Sequence, residues 1–131
     1  PLRGKIIAAG APYIQDAVLT GLNMKEVGAM VFPTPAVRNL AGLPADASLA
    51  DVLSSAPVLA FFQNMVNELA RNATGSANRI ARMCLLSEAP TIDRGEITDK
   101  GSINQRAVLT HRADTVDKLH GDELHYIIKP Q

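Results

Sequence analysis

No tryptophan occurs among the 131 residues, and three phenylalanines with two tyrosines are the whole aromatic complement. A core with so few large rings must be filled by Ala, Val, Ile and Leu, which suits helices packed on a small sheet. The single cysteine, Cys84, excludes an internal disulfide framework. Charge of one sign is also lacking. Thirteen Lys and Arg balance thirteen Asp and Glu, so electrostatics gives no case for nucleic acid or an anionic membrane as a partner. No apolar run approaches a membrane span and no secretory signal opens the chain, so the cytoplasm is the expected compartment.

Familiar catalytic motifs are missing too. The chain has no G-x-x-x-x-G-K-[ST] phosphate loop, no H-E-x-x-H, no C-x-x-C and no G-x-S-x-G. It therefore shows no complete catalytic apparatus of its own. Cys84 sits between Met83 and Leu85 in an expected strand and reads as a small buried hydrophobe. His111, His120 and His125 lie at or after the last helix; positions 111 and 120 do not share a helix face, and no acid or cysteine completes a ligand set. They read as solvated groups at helix ends, and no metal site is expected.

What is present favours one domain. The length supports a single core, and a hydrophobic share of 47% argues against disorder. Leu2, Ile6 and Ile7 recur at helical spacing up to a break at residues 10–12. Residues 14–20 (IQDAVLT) and 27–32 (VGAMVF) read as neighbouring antiparallel strands joined through 21–26. The second is apolar on both faces and belongs in the sheet interior. Pro33 and Pro35 end it. Residues 36–47 form a loop with a partial helical turn. Ser48 caps a helix over 49–54, and Ser55 with Pro57 opens a longer one to about Asn72, with Leu59, Phe62, Met65, Val66 and Leu69 as its apolar stripe. A turn over 72–77 leads to a third strand at 79–86, with Ile80 and Arg82 on one face and Ala81, Met83 and Leu85 on the other. Residues 90–101 form a polar loop. The S-x-x-Q pattern of Ser102 and Gln105 starts a last helix at Ile103, ended by Gly121, and residues 122–131 can add an extended segment. The expected fold is α+β: a small mixed or antiparallel sheet of about three strands, with helices on one or both faces.

Within the polar loop, Lys100 stands beside Gly101, which lets backbone approach a ligand, and ahead of a helix N-terminus. That combination suits a phosphate or carboxylate, but on the residues alone a solvated loop lysine is the better reading. Arg94, Arg106 and Arg112 are candidate supporting charges.

Residues 95–119 (GEITDKGSINQRAVLTHRADTVDKL) are similar to the closing segment of feruloyl-CoA synthetases, in which a GEITDKG-x-INQRAVL block precedes a final helix. Residues 2–21 (LRGKIIAAGAPYIQDAVLTG) and 27–33 (VGAMVFP) resemble the start of the same family's C-terminal lid domain, while 36–75 match weakly. The resemblance implies a lid of an adenylate-forming acyl- or aryl-CoA ligase. In that reaction a carboxylate attacks the α-phosphate of ATP, accompanied by Mg²⁺, to give an acyl-adenylate and release pyrophosphate, and the CoA thiol then displaces AMP to give the thioester. A lysine of the lid faces the carboxylate and α-phosphate in the first step. The wider superfamily often has Gly-Lys where this chain has Gly95-Glu96, and long-chain relatives place the lysine where Ser102 stands. The feruloyl family shares the Glu and the Asp-Lys-Gly of this chain, which puts the role on Lys100, with Asp99, Gly101 and Gln105 as substrate-side residues that position the loop. The resemblance also implies that ATP, with its Mg²⁺, and the small carboxylic acid are bound by an N-terminal domain that would be this domain's partner, and that residues 1–131 alone hold neither ATP nor CoA. The hinge and glycine-rich hairpin would lie ahead of Pro1, so residues 1–131 alone are expected to be inactive. A non-catalytic α+β binding or oligomerisation module, or a small-molecule sensor, stands as the alternative.

Overall fold

A computed structural model describes residues 1–21, 24–75 and 79–131. The chain runs α1 (Leu2–Ala9), β1 (Ile14–Thr20), β2 (Val27–Pro33), α2 (Val37–Ala41), α3 (Leu49–Leu53), α4 (Ala56–Arg71), β3 (Ile80–Leu85), α5 (Gln105–His111) and α6 (Ala113–His120). Three strands form one mixed sheet in the order β1-β2-β3, with β1 antiparallel and β3 parallel to β2. The α+β expectation holds, with helices on both faces. The expected links at 21–26 and 72–77 fall partly on residues 22, 23, 76 and 77, which lie outside the described residues.

Alternation along the strands divides the core in two. Val27, Ala29 and Val31 of β2 face one cluster, joined by Ile6, Val37, Val52, Val58, Phe62, Met65, Val66 and Met83. Helices α1 to α4 supply its cover. Met30 and Phe32 face the other cluster with Val18, Cys84, Leu86, Ile103, Val108 and Leu119, under α5 and α6. Apart from half-buried Pro33 at its end, β2 is buried throughout, as its two-sided apolar sequence requires.

Local signals explain most of the first cover. Ser48 accepts from the Asp51 N–H at 3.1 Å and starts α3. Ser55 precedes α4 but does not cap it. Its hydroxyl instead donates to the Val52 carbonyl at 2.6 Å, and proline opens the helix. Val58 is fully buried in α4 in addition to the expected stripe. At the end of α2, Gly42 takes a φ of 66°. The C-terminal segment pairs with β3: Met83 and Ile128 exchange N–H···O bonds of 2.9 and 2.8 Å and cover that edge.

Three expectations need correction. Ile80 and Arg82 do not share a face. Val27 pairs with Ile80 but Gly28 with Arg82, so Ala81 is an extra residue that turns Arg82 to the α5–α6 side. The last helix begins at Gln105 rather than Ile103, because Asn104 is the cap, accepting from the Ala107 N–H at 3.2 Å. The helix also breaks at Arg112 into α5 and α6.

Candidate functional site

The segment between β3 and α5 folds back on itself. Ile97 and Ile103 form an isolated antiparallel bridge, and Ile103 is buried against the α5–α6 cluster. Beyond the bridge, the Thr98 N–H donates to the Ser102 carbonyl at 2.8 Å and the Gly101 N–H to the Thr98 carbonyl at 2.9 Å. This is a tight hairpin turn whose fourth residue, Gly101, has a φ of 81°, a left-handed conformation that an L side chain resists. The Ser102 hydroxyl, expected to cap a helix, instead pairs with Thr98 Oγ1 at 2.7 Å across the turn. Asp99 and Lys100 therefore occupy the exposed tip.

Of the residues expected at the site, Asp99, Lys100 and Gly101 come together at this tip. Gln105 does not join them. It is half-buried at the start of α5, and its amide donates to the Ala17 carbonyl of β1 at 3.2 Å. That bond ties the helix following the hairpin to the sheet. Lys100 lies four residues before the cap of a short helix whose first turn Asn104 already serves, so the helix N-terminus adds little to it.

The base of the hairpin is held by a pair that sequence spacing did not reveal. Glu96 is fully buried, and Arg112 reaches it through Nε at 2.9 Å and Nη2 at 3.2 Å. The Thr91 N–H also donates to Glu96 Oε1 at 3.0 Å. The hydrogen bonds from Arg112 hold the Glu96 carboxyl below the usual carboxylate range, against the opposing effect of burial. Arg112 further donates to the Glu88 and Ala89 carbonyls at 2.9 and 3.1 Å, and its guanidinium carbon lies 4.9 Å from the centre of the Phe32 ring. Of the other candidate charges, Arg94 contacts His111 Nδ1 at 2.9 Å and Arg106 is exposed.

A second polar node lies under α6. His120 was expected to be solvated, but it is half-buried with Nε2 2.7 Å from the buried Thr20 hydroxyl. Gly28 makes room for it: a Cβ there would come within 3.2 Å of Nε2. Burial and the nearby Arg82 charge both lower the His120 pKa. Burial works against the Arg82 charge. Its hydrogen bonds to Asp122 at 2.8 Å and Glu26 at 2.9 Å more than offset this, and its pKa lies above the ordinary value. Cys84 is buried as expected, and burial pushes its thiol up to about 12.

A cleft of about 580 Å³ opens at the end of β3, lined by residues that include Leu53, Leu86, Glu88, His111, Asp114 and Tyr126. Neither Asp99, Lys100 nor Gly101 lines it. Among the described residues no group of three or more His, Cys, Asp or Glu is placed to hold a metal ion. Among them, too, no helix is long and apolar enough to cross a membrane.

A three-stranded mixed sheet between two helical covers, with an exposed hairpin between its last strand and its final helices, defines a small α+β domain. The chain belongs to the AMP-binding enzyme C-terminal domain family, whose model matches residues 1–123. Among solved structures it is similar to the A-PCP didomain of carboxylic acid reductase from Segniliparus rugosus in complex with AMP. The TM-score is 0.61 at 19% identity over 91% of this chain and 16% of that one. It is also similar to the A domain of carboxylic acid reductase from the same organism, in complex with AMP and a co-purified carboxylic acid, with a TM-score of 0.59 at 15% identity over 94% of this chain and 18% of that one. The chain thus spans less than a fifth of the length of either structure. No curated protein gives a significant match.

Proposed function

We propose that this chain is the C-terminal lid of an ATP-dependent acid–CoA ligase, acting with an N-terminal domain that binds ATP and a carboxylic acid. Lys100 supplies positive charge to the carboxylate and α-phosphate as the acyl-adenylate forms. The observation that carries this reading is the placement of Lys100 at the exposed tip of a glycine-turned hairpin, in a domain of the AMP-binding enzyme family. The alternative lysine position at residue 96 is filled by a buried carboxylate locked to Arg112, and that at residue 102 by a serine whose hydroxyl pairs with Thr98 Oγ1 across the turn. Lys100 is the one of the three that is both cationic and exposed.

An ammonium placed where negative charge gathers in a transition state is the kind of group whose removal costs roughly 3–4 kcal/mol, or about 10²–10³-fold in rate. Asp99 and Gly101 shape the tip, Gln105 anchors the helix behind it, and Mg²⁺ travels with ATP in the N-terminal domain. The second half-reaction, attack of the CoA thiol on the adenylate, uses a different orientation of the lid, in which Lys100 is withdrawn. The acid we assign is aromatic, of the ferulate type.

The test is Lys100→Ala in the full-length enzyme that carries this domain. Acid-dependent pyrophosphate release should fall by about 10²-fold or more, while thioester formation from pre-made acyl-adenylate persists. Unchanged rates in both half-reactions would remove Lys100 from the mechanism and favour a non-catalytic binding module. A panel of aryl and aliphatic acids in the pyrophosphate assay tests the substrate assignment.

A further inference from the structure

We propose that the Glu96–Arg112 ion pair is a positioning device that sets the direction of the Lys100 hairpin, an inference that rests on Lys100 being the adenylation charge. The hairpin is too small to hold a direction alone: one bridge, Ile97 to Ile103, and a turn. Its orientation must come from its base, and Glu96 is that base. The Glu96 carbonyl accepts from the Asn104 N–H at 2.9 Å, and its own N–H donates to the Thr91 carbonyl at 3.0 Å, so the backbone on both sides of the hairpin meets there.

Arg112 then joins four parts of the molecule at one planar group. It sits at the break between α5 and α6 and grips the Glu96 carboxylate with two nitrogens. It caps the Glu88 and Ala89 carbonyls just after β3 and lies over the Phe32 ring of β2. A guanidinium fork is directional in a way that an ammonium or an apolar contact is not. For stability alone an apolar pair would serve as well in this buried position. The fork adds a fixed angle between the sheet and the hairpin. Lys100 is only four residues from Glu96, so a tilt at the base is carried to the tip. A misplacement of about 1 Å at a reacting centre can cost roughly 10²-fold in rate.

The experiment is a double-mutant cycle in the full-length enzyme, with Glu96→Gln, Lys100→Ala and both together. Each is assayed for acid-dependent pyrophosphate release and for thioester formation from pre-made adenylate. Glu96→Gln keeps the shape and removes the charge that orients the fork. It should lower kcat for adenylation by about tenfold or more, with KM for ATP little changed, and spare thioester formation. On the Lys100→Ala background it should cost nothing further, because the lysine it positions is gone. Equal slowing of both half-reactions, or a loss that multiplies with that of Lys100→Ala, would show a merely structural pair and overturn the proposal. If Lys100→Ala leaves adenylation intact, the reading of Lys100 fails first, and the proposal with it. Should Glu96→Gln fail to fold, as judged by its circular dichroism melt, Arg112→Lys takes its place in the same cycle. It keeps the charge and loses the fork, and the same outcomes decide.

Discussion

On one face of the sheet, α1 to α4 close over Ile, Val, Leu, Met and Phe side chains, with Phe62, Val58, Val66 and Met83 fully buried. On the other face, α5 and α6 cover a smaller apolar patch, and much of the remaining contact is polar: Glu96 with Arg112, His120 with Thr20, Arg82 with Asp122, Glu26 and the Leu119 carbonyl. The first face is held mainly by area, which is non-directional and indifferent to pH, with a directional tie where Arg3 of α1 donates to the buried Asp16 carboxylate of β1 at 2.8 and 2.7 Å. The second is held by directional bonds whose strength depends on protonation. The Lys100 hairpin hangs from the second face, so the part of the molecule that presents the candidate charge is oriented by forks and caps rather than by close-packed methyl groups.

The contrast can be broken most forcefully at its two anchors. Phe62→Ala should cost about 3–5 kcal/mol in denaturant unfolding, by lost transfer and a residual cavity. Arg112→Ala should cost a similar amount, roughly 3–5 kcal/mol at neutral pH, because it leaves the Glu96 carboxylate buried and without its cation. The two should part on acidification. The Arg112→Ala deficit should shrink as Glu96 becomes protonated, while the Phe62→Ala deficit stays flat. A deficit for Arg112→Ala that is equally flat with pH would mean that its packing on Phe32, and not its charge, holds the second face.

A smaller effect lies in the wild-type pH dependence. The folded Glu96 pKa is depressed, so its contribution is present above the unfolded carboxylate pKa of about 4.3 and is lost as pH falls through the folded value. The His120 pKa is also depressed, so in the range just below about 6.5 the unfolded chain binds the extra proton first. Stability therefore declines from there as pH falls through the folded value. Both losses fall on the same face. Amide exchange should show α5, α6 and the hairpin loosening before α4 as pH drops, and His120→Gln should flatten the part of the curve that begins near pH 6.5. Smallest of all, Lys100→Ala should change the stability of the 131-residue chain by no more than about 0.5 kcal/mol, since the side chain is exposed. A larger change would give Lys100 a role in holding the fold.

Much of the first face was legible in the residue order, because its signals are local. The stripe of α4, the cap at Ser48, the two-sided apolar run of β2 and the prolines that end it act within a few residues. The hairpin was legible as a polar loop with Gly101, and the resemblance of residues 95–119 to feruloyl-CoA synthetases singled out Lys100 within it. Other features were not legible. The extra residue at Ala81 reverses the face of Arg82, and no local pattern marks it. Asn104 and Ser102 are both good caps by type, and the Ile97–Ile103 bridge decides between them by drawing Ser102 into the turn.

Residue order was therefore sufficient for the fold class, the central strand and the long helix, since periodicity, capping and turn chemistry are short-range, whereas Lys100 was singled out only by the family resemblance. Folding in three dimensions was needed to bring Glu96 to Arg112, Thr20 to His120 and Gln105 to Ala17, across separations of 16, 100 and 88 residues. Such pairs leave no periodic trace in a single sequence, because a buried polar group needs only a partner with the right geometry, and the chain can supply that partner from any distance.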